Sequence, residues 1–257
     1  MMQKDEYELY RLHSKLPAFQ KRVQKSRKII REALAQINRP YAAVSFGKDS
    51  LVLMHLVIRE RPDIPIVWSD RGPEAELPET YALIEKLKEK YQINLVVLKP
   101  EMSMFEIYRR YGLPEIDEHA SRLIVKEINL VRTFAKYIRE TGSDGYFQGL
   151  RADESHGRTM MTGKYGPLFI RKRDNFLTCN PLLWWNARDI WAYIVANDIP
   201  YHPEYDNTKF RSREEIRLSN WSGLYMARKG RMVELKALHP DLYQQLINEF
   251  PEVKSLV

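Results

Sequence analysis

Between residues 41 and 148, short apolar runs with strand character alternate with longer helical stretches, and this alternation leaves few folds open. Tyr41-Ala42-Ala43-Val44, Ile64-Pro65-Ile66-Val67-Trp68, Ile93-Asn94-Leu95-Val96-Val97-Leu98 and Gly145-Tyr146-Phe147-Gln148 read as strands. Leu51, Val52, Met54, Leu56, Val57 and Ile58 form the apolar part of a helix after the first strand. Pro78 to Lys90 reads as a second helix with proline in its first turn. Met102 to Tyr111 and Ser121 to Glu140 also read as helices, the latter ending before Gly142. Such alternation predicts an α/β fold with a mostly parallel sheet and helices on both faces. Ligands of such sheets bind beyond the carboxyl ends of the strands.

The flanks read differently. Residues 5–37 are charged and helical, with a break at Pro17. Tyr165 to Cys179 has room for two short strands around a basic turn, Arg171-Lys172-Arg173. Asn186 is placed to cap a helix ending near Asp198, and Ser212 with Glu215 has capping-box spacing. Residues 230–239 and 240–250 read as helices. With no repeat, low-complexity tract or Gly/Ser linker, the expectation is one domain over 1–257. It has a helical N-terminal segment to about residue 38, a core over about 39–206, and a mainly helical C-terminal extension.

The first strand-to-helix junction, Ser45-Phe46-Gly47-Lys48-Asp49-Ser50, carries the chemistry. Gly47 lets backbone approach a ligand, and free N–H groups at a helix start favour an anion. Lys48 adds a mobile positive charge and Ser50 a hydrogen-bond donor. The order is not that of a Walker A loop, because Asp49 follows Gly47-Lys48 and Ala42 stands where the first glycine belongs. Three spaced glycines of a dinucleotide fingerprint are also missing.

The segment resembles the PP-loop, Ser-Gly-Gly-Lys-Asp-Ser, of the ATP pyrophosphatase superfamily, with Phe46 in place of the first glycine and that peptide therefore less free to turn. Further segments resemble the phosphoadenosine phosphosulfate (PAPS) reductase family, which includes the ATP sulfurylase small subunit. Asp70-Arg71-Gly72 followed by Leu77-Pro78-Glu79-Thr80-Tyr81 is similar to the family's Asp-Thr-Gly and Phe-Pro-Glu-Thr pattern, with Arg71 for threonine and a gap longer by two residues. Gly149-Leu150-Arg151, Glu154-Ser155 and Arg158 match its Gly-hydrophobic-Arg, Glu-Ser and trailing Arg. Asn180-Pro181-Leu182, Asp189-Ile190-Trp191 and Tyr201-His202-Pro203-Glu204-Tyr205-Asp206 match its last signature.

The resemblance implies an ATP site of Ser45, Phe46, Gly47, Lys48, Asp49, Ser50, Asp70, Gly72 and Gly149, with Mg²⁺ near Asp49 and Asp70. It implies an anionic acceptor such as sulfate near Arg151 and Arg158, with Lys48, Arg151 and Arg158 as the catalytic cations. Two arginines suit a phosphate or sulfate because guanidinium offers a fixed fork of donors. Glu154 is placed to hold an arginine, and Tyr201, His202 and Asp206 are candidates for the rim of the site. Asp189 reads as a helix cap or a surface charge.

Cysteine usage selects among family activities. Cys179 is the sole cysteine, so an internal disulfide and a four-cysteine iron–sulfur or zinc site are excluded. Nothing after it supplies the nucleophilic thiol of a thioredoxin-dependent reductase, and Cys179 itself reads as a small buried strand residue. The expected function is therefore attack at the α-phosphate of ATP, as a nucleotidyltransferase or ATP pyrophosphatase of sulfur metabolism. Two other classes stay open: an ATP-activating component of a DNA or RNA sulfur-modification system, and a non-catalytic nucleotide- or sulfonucleotide-binding subunit. A net charge of +7 and a pI near 9.3 permit nucleic acid or another anionic partner without specifying it, and the resemblance allows a partner subunit. No apolar run suits a membrane span and the N-terminus lacks the apolar core of a signal peptide, so a cytoplasmic location is expected.

Overall fold

The structure, a computed structural model, describes residues 2–113, 116, 122–154, 159–160, 164–171, 174–218 and 231–257. In chain order α1 (Lys4–His13) and α2 (Pro17–Leu34) precede β1 (Pro40–Ala43), α3 (Lys48–Glu60), β2 (Ile66–Ser69), α4 (Pro78–Tyr91) and β3 (Leu95–Leu98). Then come α5 (Met104–Tyr111), α6 (Arg122–Lys126), a π-helical turn (Glu127–Arg132), α7 (Thr133–Thr141), β4 (Gly145–Gln148), β5 (Leu168–Arg171) and β6 (Phe176–Cys179). The chain continues through α8 (Ala187–Ala196), α9 (Arg231–Leu238) and α10 (Pro240–Glu249).

These elements fall into two compact units. The first comprises Met1–Trp68, Glu79–Val96 and Ile138–Ile216, and is built on a six-stranded sheet in the order β3-β2-β1-β4-β6-β5. β1 runs parallel to β2 and to β4, β4 runs parallel to β6, and the edge strand β5 pairs antiparallel with β6. All four residues of β2 and of β6 are buried. Successive strand residues point to opposite faces, so both faces of the sheet are covered at these strands. α3 packs on β1 and β4, α2 on α3 and β6, α8 on α3, and α1 on α8.

The N-terminal helices are fastened by Asp189, which is fully buried. Its Oδ1 accepts from Arg22 and meets His13 Nε2, both at 2.8 Å, while Oδ2 accepts the Asn186 N–H at 3.0 Å. Asn186 Oδ1 in turn accepts the Asp189 N–H at 2.9 Å, completing the capping box of α8. Asp189 is thus a cap, and a buried anchor where a surface charge was the other expectation.

The second unit comprises Ser69–Pro78, Val97–Tyr137 and Arg217–Val257. Its core gathers Ala75, Leu77, Met104, Ile107, Tyr108 and Val125 with Met232, Leu235, Tyr243 and Phe250. Two local expectations differ, one here and one at Ser212. The helix expected over Ser121 to Glu140 widens into a π turn, where the Thr133 hydroxyl donates to the Ile128 carbonyl at 3.0 Å and the Asn129 carbonyl accepts from Ser69 Oγ at 3.0 Å. In the first unit, Ser212 and Glu215 make the expected bond from the Ser212 N–H (3.1 Å), but it closes a turn and starts no helix.

Candidate functional site

β1 leads directly into the phosphate-loop candidate. The Val44 N–H still donates to the Val67 carbonyl at 3.0 Å, after which Ser45 and Phe46 turn the chain and Gly47 precedes α3. Ser50 closes the turn: its hydroxyl donates to the Gly47 carbonyl at 2.9 Å and accepts the Ser45 N–H at 3.2 Å. A helix start held this way offers backbone N–H groups and the positive end of the helix dipole to an anion. β1 also lies at the switch point of the sheet, where the chain moves to β2 on one side and later to β4 on the other.

Phe46 makes the turn despite its side chain. It takes φ of +56°, in the left-handed region that costs a side-chain-bearing residue about 1–2 kcal/mol. The ring is 0% exposed and sits edge-on to Trp68, with centroids 5.7 Å apart. Burying a phenylalanine contributes about 1.5–3 kcal/mol, which offsets the backbone cost. The peptide expected to be less free to turn is therefore held in the turn by its own ring.

Lys48 is not a mobile charge at the surface. It is 2% exposed, and its ammonium donates to the Ile216 carbonyl at 3.1 Å and lies 3.4 Å from Asp49 Oδ2. Its backbone N–H donates to the Tyr205 hydroxyl at 2.9 Å. A Cβ at Gly47 would stand 3.3 Å from that same hydroxyl, a tight contact that glycine avoids.

The segment after β4 packs on the same helix start. A Cβ at Gly149 would stand 3.1 Å from the Asp49 carbonyl oxygen and 3.3 Å from the Ser50 nitrogen, a close approach that only glycine allows without displacement. Arg151, 3% exposed, donates from Nε to Asp49 Oδ1 at 2.5 Å and from Nη1 to both carboxylate oxygens of Asp153 at 2.7 and 2.8 Å. Glu154 Oε2 accepts the Arg151 backbone N–H at 3.3 Å, so it fixes the arginine's main chain. Arg158 lies outside the described residues.

Asp70 and Gly72 belong to the second unit, where Asp70 Oδ1 accepts the Gly72 N–H at 3.0 Å and the Asp70 N–H donates to the Leu98 carbonyl at 2.8 Å. Arg71 donates to the buried Glu76 at 2.8 Å. Burial pushes the Glu76 carboxyl up, against the opposing pull of Arg71. The two Asp49 oxygens face Arg151 and Lys48, so a cation there would share the carboxylate with these partners. Among the described residues no group of three or more His, Cys, Asp or Glu side chains is placed to hold a metal ion.

Of the rim candidates, His202 is buried and its Nδ1 accepts the Glu204 N–H at 3.1 Å, which caps the short turn Pro203–Asp206. The Tyr201 hydroxyl donates to Asp206 Oδ1 at 3.1 Å. Burial, and then the charge of Asp206, push this phenol up to about 12. Burial alone would raise Asp206, but its hydrogen bonds, that from Arg213 first, outweigh this and lower it. Sequence reasoning gave Tyr205 and Asp153 no role, and missed Arg213 altogether. Tyr205 sits in a Pro-aromatic turn that reads as packing, and Arg213 finds one of its carboxylate partners 207 residues away, at Glu6.

A strand-loop-helix turn at the switch point of a mostly parallel sheet is the arrangement of an α/β protein whose ligand binds beyond the carboxyl ends of its strands. Residues 39–212 match the family described as "Phosphoadenosine phosphosulfate reductase domain", and the chain belongs to that family. A phosphoadenosine 5'-phosphosulfate reductase of Synechococcus sp. is 33% identical over 168 residues, spanning 64% of this chain and 68% of that protein. Another, of Xanthomonas axonopodis, is 31% identical over 63% of this chain and 64% of its own length, so the chain spans just under two thirds of that relative. The crystal structure of PAPS reductase from Candida auris, a phosphate complex, matches 80% of this chain and 93% of its own with a TM-score of 0.56. At 20% identity that likeness shows the shared fold.

Proposed function

We propose that this chain binds ATP at Ser45–Ser50 and promotes attack of an anionic acceptor, with sulfate the simplest case, on the α-phosphorus. An acceptor oxygen forms the new bond to phosphorus, the bond from the α-phosphorus to the bridging oxygen breaks, and pyrophosphate leaves with the electron pair. Gly47 and Ser50 hold the β- and γ-phosphates together with the N–H groups at the start of α3. Lys48 neutralises charge there once it exchanges its protein partners. Arg151 orients the acceptor side, with Arg158 expected beside it. A divalent cation such as Mg²⁺ would supply further charge neutralisation when bound with the nucleotide. Positioning and electrostatics account for the catalysis, and no protein nucleophile is needed.

The observation that carries this is the packing of Gly149 on the Asp49–Ser50 backbone, which couples the acceptor-side arginine to the phosphate loop. Reduction of a sulfonucleotide, which the names of the relatives suggest, needs an accessible thiolate. Cys179 is fully buried in β6, and burial, then the charge of Glu32, push its thiol well above the usual range. Within residues 1–257 that favours ATP activation over reduction. Incubation with Mg-ATP and candidate acceptors, scoring AMP and pyrophosphate against ADP, tests the assignment. Formation of ADP and phosphate, or unchanged pyrophosphate release in Lys48→Ala, overturns it.

A further inference from the structure

One segment of the first unit holds both donors of the lysine that the ATP site depends on. The Lys48 N–H donates to the Tyr205 hydroxyl at 2.9 Å, and its ammonium donates to the Ile216 carbonyl at 3.1 Å. The ammonium also lies 5.5 Å from the centre of the Tyr205 ring. Tyr205 and Ile216 belong to the stretch from His202 to Ile216, which has no long helix or strand of its own and is pinned from within by Arg213.

Arg213 is 3% exposed and donates in three directions. Nη1 reaches the Tyr205 carbonyl at 2.9 Å and Asp206 Oδ1 at 2.5 Å, while Nε and Nη2 reach the Glu6 carboxylate at 2.9 and 3.2 Å. Its guanidinium carbon also lies 5.4 Å from the centre of the Trp191 ring. The pin therefore ties the stretch to α1, to α8 and to itself. Burial works against the Arg213 charge, but the two carboxylates outweigh it and push its pKa further up, so the pin does not release by titration near neutral pH.

We infer that residues 202–216 form a strap that competes with phosphate for Lys48, with Tyr205 as the competing group at the helix start and Arg213 as its positioning residue. The strap regulates the ATP site proposed above and so rests on that assignment. An anion that takes the Lys48 N–H displaces the Tyr205 hydroxyl, and one that draws the ammonium toward it pulls it away from the Ile216 carbonyl. Nucleotide binding and strap closure then compete for the single Lys48 N–H, and each opposes the other by the same free energy. Gly47 leaves the hydroxyl room, because a Cβ there would stand a tight 3.3 Å from it.

The test is Mg-ATP binding by calorimetry to the full chain and to Tyr205→Phe, Glu6→Gln and Lys48→Ala. Tyr205→Phe keeps the ring and deletes the competing oxygen, so ATP binds about threefold to tenfold tighter, the worth of one hydrogen bond. Glu6→Gln, remote from the loop, loosens the pin and tightens ATP about twofold to fivefold on the same scale. Amide exchange over 202–216 speeds up when Mg-ATP saturates the wild type. A general loss of structure cannot produce tighter binding, so these gains separate a strap from a structural role. If wild type binds and Lys48→Ala does not, but Tyr205→Phe binds equally or more weakly, the strap is wrong and the ATP assignment stands. If binding appears only in Tyr205→Phe, the strap is supported. If none of the four proteins binds ATP, both fall.

Discussion

Replacing Phe46 by alanine and, separately, by glycine divides the energetics of the phosphate loop into two measurable parts. Alanine keeps a Cβ at φ +56° and removes a ring that is 0% exposed and packed edge-on to Trp68. Truncating a buried phenylalanine costs about 3–5 kcal/mol. Glycine removes the same ring but relieves the left-handed strain, so it recovers about 1 kcal/mol after its own loss of chain entropy. The expected order of stability is wild type, then Phe46→Gly about 2–4 kcal/mol lower, then Phe46→Ala about 1 kcal/mol lower again. Urea unfolding followed by circular dichroism, with the slopes compared to confirm two-state behaviour, measures both gaps. A Phe46→Gly protein as stable as wild type would refute the claim that the ring holds the turn. An alanine variant as stable as the glycine variant would refute the backbone strain.

His55, buried in α3 with its Nδ1 3.0 Å from the Tyr193 hydroxyl, is held down to about 4 by burial first and then by Arg59 and Lys90. Its folded pKa is below the unfolded value of 6.5, so its contribution is complete above pH 6.5 and is lost as pH falls toward 4, up to about 3 kcal/mol. Urea midpoints at pH 7.5 and 4.5 should diverge more in wild type than in His55→Gln; equal divergence would remove His55 as the cause. Asp189→Ala should lower stability by about 2–3 kcal/mol, the low end for a broken buried ion pair because Arg22 is partly exposed; a change under 1 kcal/mol in the same assay counts against the anchor. Gly149→Ala puts a Cβ 3.1 Å from the Asp49 carbonyl oxygen, so the two segments must ease apart, and should weaken ATP binding about tenfold while costing about 1–3 kcal/mol of stability; unaltered binding would show the two segments to be uncoupled. Cys179 should resist thiol reagents at pH 8 until denaturant is added; rapid labelling of the folded protein would reopen a thiol role.

The sheet and its helices were legible because each rests on local pattern. The β4 residues Gly145–Gln148 and the capped start of α8 at Asn186 fall where the residues predict them, and the β5–β6 pair lies within the expected stretch. What sequence could not carry is partner choice across distance. Lys48 reads as a phosphate cation from its neighbours in the chain, but its bonds go to Tyr205 and Ile216, 157 and 168 residues on. Asp49 reads as a metal neighbour from its place in the loop, and nothing near it in the chain announces its bond to Arg151, 102 residues away. The left-handed turn at Phe46 also defeats propensity, since it stands only because Trp68, from the next strand, gives the ring a place to pack.

Charge balance at the loop bears on how such a site recruits its ligand. Lys48 and Arg151 face Asp49 and Asp153 within one cluster, and both cations are almost wholly buried. Each of these cations already faces a carboxylate, so a phosphate is not drawn in by an unpaired lysine. The overall charge of +7 steers an anion only from a distance and is screened within about 10 Å by ordinary salt. Under the ATP assignment proposed above, close binding requires an exchange of partners at the Lys48 N–H, where Tyr205 now stands. The proposed strap then makes affinity depend on how firmly Arg213 holds it as well as on the loop's own donors.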